Sequence, residues 1–261
     1  MRVRPPAVAR LFHSDNPDEL RRNLRNLLDT ASVSDEPCPK AIIVPHAAYA
    51  YSGPVAASAY ARVAAGVKSI RRVVLLGPAH RKRMHAIAAS GAEAFATPLG
   101  LVTVDRDALD SLLTEKLVSV DDGAHAREHS LEVHLPFLQT VLAEFTIVPL
   151  LVGHVTAQNV EQVLRRVWDG PETLIVVSSD LSHYHPYEVC QQVDGETAQA
   201  IEALRVESIT AQKACGFRAI RGLLHLAAQK KLDGRVVDLR NSGDTSKQYD
   251  SVVGYIACVF Q

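Results

Sequence analysis

The stretch Thr173-Leu-Ile-Val-Val-Ser-Ser-Asp-Leu-Ser-His183 constrains this chain more than any other. Residues 173–177 are apolar or β-branched with no turn former, which predicts a strand buried on both faces. Polarity then reverses at Ser178-Ser179-Asp180, with Ser182 and His183 just beyond. In an open α/β sheet, ligands sit in the crevice outside the carboxyl ends of the strands. A strand ending in hydroxyls, a carboxylate and an imidazole therefore stands where a site belongs. Two more apolar runs end alike, Ala41-Ile-Ile-Val-Pro-His46 and Val73-Val-Leu-Leu-Gly-Pro-Ala-His80. Taken singly, either histidine reads as structural. Three strand ends that each deliver one point to a shared site.

The remaining segments fit an alternating pattern. Residues 4–12 read as extended. Asn16 caps a helix that Pro17 opens, running to about Thr30 with Leu20, Leu24, Leu27 and Leu28 on its apolar face. A loop spans 34–40. Gly53-Pro54 reads as the start of an alanine-rich helix, where free N–H groups would form an anion site. Residues 95–104, broken at Pro98-Leu99-Gly100, read as a β-hairpin. Thr146–Val152 is a strand, and residues 156–168, 187–204 and 217–229 are helical. Residues 236–239 and 252–260 are the last strands, separated by Asn241–Lys247. This alternation predicts one α/β domain over residues 1–261. Its central sheet is mixed and mostly parallel, antiparallel near the hairpin and the C-terminus, with helices on both faces.

Composition narrows the function classes. The 28 basic and 29 acidic residues leave a net charge of -1, which gives no bulk attraction to nucleic acid or a membrane surface. No apolar run approaches the roughly 20 residues of a membrane span, and Met1-Arg-Val-Arg-Pro-Pro lacks a signal-peptide core. Cys38, Cys190, Cys215 and Cys258 are far apart, so they read as reduced thiols of a cytoplasmic protein.

His46 and His80 sit at equivalent strand ends, and imidazole is the commonest metal ligand. Cys215, in a polar break at Ala214-Cys215-Gly216, can supply a third donor, whereas Cys258 lies in an apolar strand. Two imidazoles and a thiolate suit zinc, copper or iron with positions left open. Asp180 and His183 read either as a cap and a surface histidine or as an acid/base pair around such a centre. His129-x-x-Glu132-Val133-His134 misses both zinc-protease spacings by one residue. Histidines five apart do not share a helical face, so at most one of His129 and His134 is expected to face the site. The chain lacks a Gly-x-Ser-x-Gly elbow, a dinucleotide fingerprint and a phosphate-binding Walker loop.

Five ordered motifs together resemble the Memo family, whose prokaryotic members are also called AmmeMemoRadiSam system protein B. They are Pro45-His46-Ala-x-Tyr49-x-Tyr51-Ser52-Gly53, Leu76-Gly77-Pro78-x-His80, Glu128-His129-Ser130-x-Glu132-x-His134-Leu135-Pro136, Ser178-Ser179-Asp180-x-Ser182-His183 and Cys215-Gly216. The resemblance covers nearly the whole chain. It implies the fold of class III extradiol ring-cleaving dioxygenases, with His46 and His80 matching the two histidine ligands and Cys215 standing where a carboxylate ligand would be. It implies iron first, then copper or zinc, and redox activity on a small, planar substrate. Asp180, His183 and one of His129 or His134 would be the catalytic shell, and Tyr49, Tyr51, Gly53 and Arg81 would hold the substrate. The prokaryotic name implies association with radical SAM and AMMECR-type proteins. The rival expectation is a non-catalytic module that takes a phosphorylated or carboxylated peptide in the same pocket, helped by Arg81 or Lys82.

Overall fold

The computed structural model describes residues 1–32, 37–66 and 68–261; part of the loop expected at 34–40 lies outside the described residues. In chain order the strands are β1 (Val3–Arg4), β2 (Ala41–Val44), β3 (Arg72–Pro78), β4 (Ile87–Ala89), β5 (Ala94–Thr97) and β6 (Gly100–Thr103). Then come β7 (Ser119–Val120), β8 (Thr146–Val152), β9 (Thr173–Ser178), β10 (His183–His185), β11 (Gly234–Asn241) and β12 (Val252–Phe260). The helices are α1 (Pro17–Asp29), α2 (Tyr49–Val63), α3 (Arg106–Thr114), α4 (Asp122–His125), α5 (Leu135–Val141), α6 (Ala157–Arg166), α7 (Tyr187–Glu202), α8 (Phe217–Lys230) and α9 (Ser242–Ser246).

One sheet runs in the order β10-β12-β2-β9-β3-β8-β4-β7, and β11 also pairs with β12. Its centre, β2-β9-β3-β8, is parallel. Every residue of β2 and β9 is buried, which is why these runs are continuously apolar rather than alternating. Antiparallel pairing flanks the centre on both sides, through β4 on β8 and β12 on β2. Helices α6 and α8 pack together, with α8 on β3 and β9, while α2 lies on β2, β11 and β12 and is backed by α1 and α5. The result is the expected single α/β domain with a mixed, mostly parallel sheet. No helix among the described residues is long and apolar enough to cross a membrane.

Several local expectations need correction. The hairpin forms, but it pairs with β1 in a separate three-stranded sheet rather than joining the main one. Only Val3–Arg4 of the N-terminal segment is a strand. Beyond it the chain turns, with the Leu11 and Phe12 N–H groups donating to the Val8 carbonyl. Asn241–Lys247 is not a plain loop, since Asn241 caps the short helix α9. Helix α2 begins at Tyr49, so Pro54 lies inside it and Gly53 is buried in its second turn. A Cβ on Gly53 would stand 2.9 Å from Leu27 Cδ1. The free N–H groups of this helix are therefore not at Gly53, and no anion site forms there.

Candidate metal centre

The register of the parallel strands assembles the centre. Val44 at the end of β2 is level with Ser178 at the end of β9, and β3 lies on the other side of β9. The residues just past these ends meet at one edge. His46, His80 and Cys215 each offer one donor atom, all within 4.8 Å of one another. Cys215 reaches them because Gly216 lies against the end of β9, where an added Cβ would come within 2.6 Å of the Ser178 carbonyl oxygen. His46 is 2% exposed, while the His80 side chain is 30% exposed.

Hydrogen bonds preset both imidazoles. The Ser178 hydroxyl donates to the Ser130 carbonyl at 2.6 Å. Its lone pairs then accept from His46 Nδ1 at 2.6 Å and His134 Nε2 at 2.9 Å. With its proton on Nδ1, His46 presents the lone pair of Nε2, which faces Cys215 Sγ at 3.4 Å. His80 Nδ1 donates to Glu128 Oε1 at 3.0 Å and so leaves its own Nε2 free. The same carboxylate accepts the backbone N–H groups of His80, His129 and Ser130. A metal-bound histidine almost always donates its other nitrogen to such a partner.

Electrostatics agree with this division of roles. Burial, with the nearby His80 and His129 rings, holds His46 well below the ordinary histidine range, which favours the neutral ring that a metal ligand needs. Burial opposes ionisation of Glu128, but the adjoining His129 and His80 rings and the Ser130 N–H outweigh it and keep this acid ionised. Burial and the charge of Asp180 push the Cys215 thiol up to about 12. A coordinated metal reverses that balance, because a coordinating thiol is deprotonated outright.

The remaining candidates fall at different distances from the centre. Asp180 Oδ1 accepts the His46 N–H at 2.8 Å, and Oδ2 stands 3.9 Å from His46 Nε2. Burial raises the Asp180 carboxyl above the usual aspartate range. The His129 ring stacks on His80 at 4.8 Å and meets His46 edge-on at 5.3 Å. Its buried Nδ1, 3.1 Å from Glu128, makes no hydrogen bond. His129 is thus the one of the two that faces the centre directly, and His134 touches it only through Ser178. His183 Nδ1 donates to the Leu181 carbonyl at 2.8 Å.

Among the substrate candidates, Tyr49 is buried against Phe137, with its hydroxyl committed to the Val133 carbonyl at 2.5 Å. Tyr51 is exposed in the first turn of α2, and Arg81 is exposed outside the cavity described next. Glu128 and Ser178, each holding a histidine in place, had no assigned role from sequence. The adjacency Glu128-His129 hinted at the first, and the strand-end hydroxyl marked the place of the second but not its partners.

A second cluster, His80, Glu128 and His129, also has donors within 4.8 Å. Its carboxylate is already occupied by N–H donors, which leaves His46, His80 and Cys215 as the better ligand set. A cavity of about 130 Å³ opens beside this triad and is lined by His80 and Cys215. A larger cleft of about 570 Å³ between α1, β6 and α5 contains no histidine or cysteine, so it lies away from the candidate chemistry.

Fold and site together define an α/β protein with a candidate histidine–cysteine metal centre at the carboxyl edge of its sheet. The family model for Memo-like proteins matches residues 4–259. A MEMO1 family protein of Aquifex aeolicus is 38% identical over 271 residues, spanning 100% of both chains. Those of Methanopyrus kandleri and Methanosarcina barkeri are 35% and 33% identical, each aligned over at least 99% of both chains. The chain belongs to the Memo family.

Proposed function

We propose that this chain is a mononuclear metalloprotein that holds iron, with copper or zinc as alternatives, between His46, His80 and Cys215, and that it acts as a dioxygenase-like oxidoreductase on a small substrate. The observation that carries this reading is the pair of oriented imidazoles. Ser178 and Glu128 fix the protons of His46 and His80 on Nδ1, so both Nε2 lone pairs are free beside a thiol. When bound, iron or copper would supply a redox-active Lewis acid, and zinc a Lewis acid alone. A thiolate in place of a carboxylate adds charge to that centre and shifts its preference towards softer ions. Burial raises the Asp180 carboxyl, and its Oδ2 stands 3.9 Å from His46 Nε2, within reach of the centre. The His129 ring stacks on His80, with its Nδ1 3.1 Å from the Glu128 carboxylate.

Metal analysis of anaerobically purified and loaded protein tests the reading. The wild type should hold one metal per chain. His80→Ala should lose it while keeping the fold, because His80 is partly exposed; His46→Ala should lose it too. Unchanged stoichiometry and affinity in both variants would refute the assignment. Absence of metal from the wild type, with tight anion binding, would identify a non-catalytic binding module.

A further inference from the structure

The outer wall of the 130 Å³ cavity is cationic. Besides His80 and Cys215 it is formed by Lys82, Arg83, His154 and Arg218. Lys82 is committed to Asp121 at 2.7 Å. The two arginines are not so committed. Arg218 Nη2 donates to His154 Nδ1 at 3.1 Å, and its guanidinium lies 4.3 Å from the centre of the Phe217 ring. Among the described residues no carboxylate pairs with either guanidinium. Arg83, His154 and Arg218 line the same small cavity, so the two guanidinium charges face one space. His85 adds a second imidazole, its ring 5.5 Å from that of His154.

Like charges gathered at a cavity mouth repel unless an anion joins them. The first turn of α8 borders the same space through Arg218 and Ala219. N–H groups at a helix start lack intrahelical partners, and the helix dipole favours negative charge there. A guanidinium is suited to the planar, bidentate recognition of carboxylate or phosphate.

We infer that this mouth is a subsite for an anionic group, a carboxylate or a phosphate, anchored by Arg83 and Arg218 on the ligand that enters the cavity beside His80 and Cys215. The inference deepens the metal reading and rests on it only for what the ligand meets further in. The space matches about four water molecules at roughly 30 Å³ each. It admits the head group of a small acid or ester rather than a folded partner. Substrate class thus follows from the segment just past β8 and from α8, which carry His154 and Arg218, and not from the start of α2.

Calorimetry with inorganic phosphate and, separately, with benzoate tests this on metal-free protein. The wild type should bind at least one of them saturably, one per chain, and the two arms show whether phosphate or carboxylate is preferred. Arg83→Gln with Arg218→Gln should weaken that binding at least tenfold. Arg83→Gln alone should also weaken it, and because Arg83 is exposed its loss should not disturb the fold. Arg81→Gln, outside the cavity, should bind as the wild type does. No binding of either anion at millimolar concentration, equal binding by the double variant, or a loss confined to Arg81→Gln would overturn the subsite. Metal uptake is measured on loaded aliquots of the same preparations. Anion binding without metal uptake would refute the metal reading alone, and metal uptake without anion binding would refute the subsite alone.

Discussion

Ser178 has one hydroxyl hydrogen and two lone pairs, and the fold uses all three. Removing the hydroxyl would leave the Ser130 carbonyl, His46 Nδ1 and His134 Nε2 without it at once. Unsatisfied buried groups cost about 1–3 kcal/mol each, and a freed His46 ring loses the restraint that aims Nε2 at Cys215. Outer partners of metal ligands typically carry about 10- to 100-fold in affinity. Ser178→Ala is therefore expected to lower metal affinity within that range while retaining one metal per chain, as read by competition with a chelator of known strength. Unchanged affinity would show that packing alone orients His46. The contrast with His46 and His80 explains what a sequence can disclose at this scale. A histidine just past an apolar strand is visible because strand ends converge. The role of Ser178 depends on residues 44 and 48 positions away, so no local pattern carries it.

At the scale of elements, α8 carries Cys215 just ahead of its first turn and must dock accurately on the sheet. It packs against α6 through Gly222, where an added Cβ would come within 2.4 Å of Val160 Cβ and Cγ1. Val160 is fully buried and has nowhere to move. Gly222→Ala would gain helix propensity of about 1 kcal/mol but overpack the crossing, which costs about 1–3 kcal/mol. The clash wins, because at this distance one helix must shift. Thermal unfolding should show a Tm lower by a few degrees, and Val160→Ala in the same chain should not restore it, because the Cβ that alanine keeps is itself 2.4 Å from the added one. A Tm equal to or above wild type for Gly222→Ala alone would mean that α8 adjusts freely. The elements themselves were largely legible, because buried parallel strands and amphipathic helices leave distinct patterns. One exception, the start of α2, has a plain physical cause. Ala48 offers no capping side chain, and the Tyr49 N–H instead donates to the Phe12 carbonyl at 2.9 Å. A boundary set by a distant carbonyl looks, from sequence, like the nearest Gly-Pro pair.

Across the whole molecule, the first residues are tied to the segment that carries Glu128 and His129. Arg4 is 6% exposed, donates to the carbonyls of His125 at 2.9 Å and Glu128 at 2.6 Å, and pairs with Glu132 at 2.7 Å. Glu132 in turn accepts the Ala7 and Val8 N–H groups at 2.7 and 2.9 Å. A lone arginine before two prolines gives no periodic signal of this, so the clamp was not legible. It has a consequence for pH. His125 is buried, with Nε2 donating to the Ala88 carbonyl at 3.0 Å. Burial, helped by the charge of Arg4 and opposed by that hydrogen bond, lowers its pKa from 6.5 to about 4. Between those values the unfolded chain takes up a proton that the folded chain refuses. His125 thus adds stability that is fully present above pH 6.5 and is lost as pH falls towards 4. The loss is about 1.4 kcal/mol per pH unit for one such group. Urea unfolding of the wild type and of His125→Gln, whose amide can still donate to Ala88, measures it directly. Over the interval from pH 6.5 to pH 5 the wild type should lose about 2 kcal/mol more than the variant. Parallel stability curves for the two proteins would show that His125 takes up its proton in the folded state as readily as in the unfolded one.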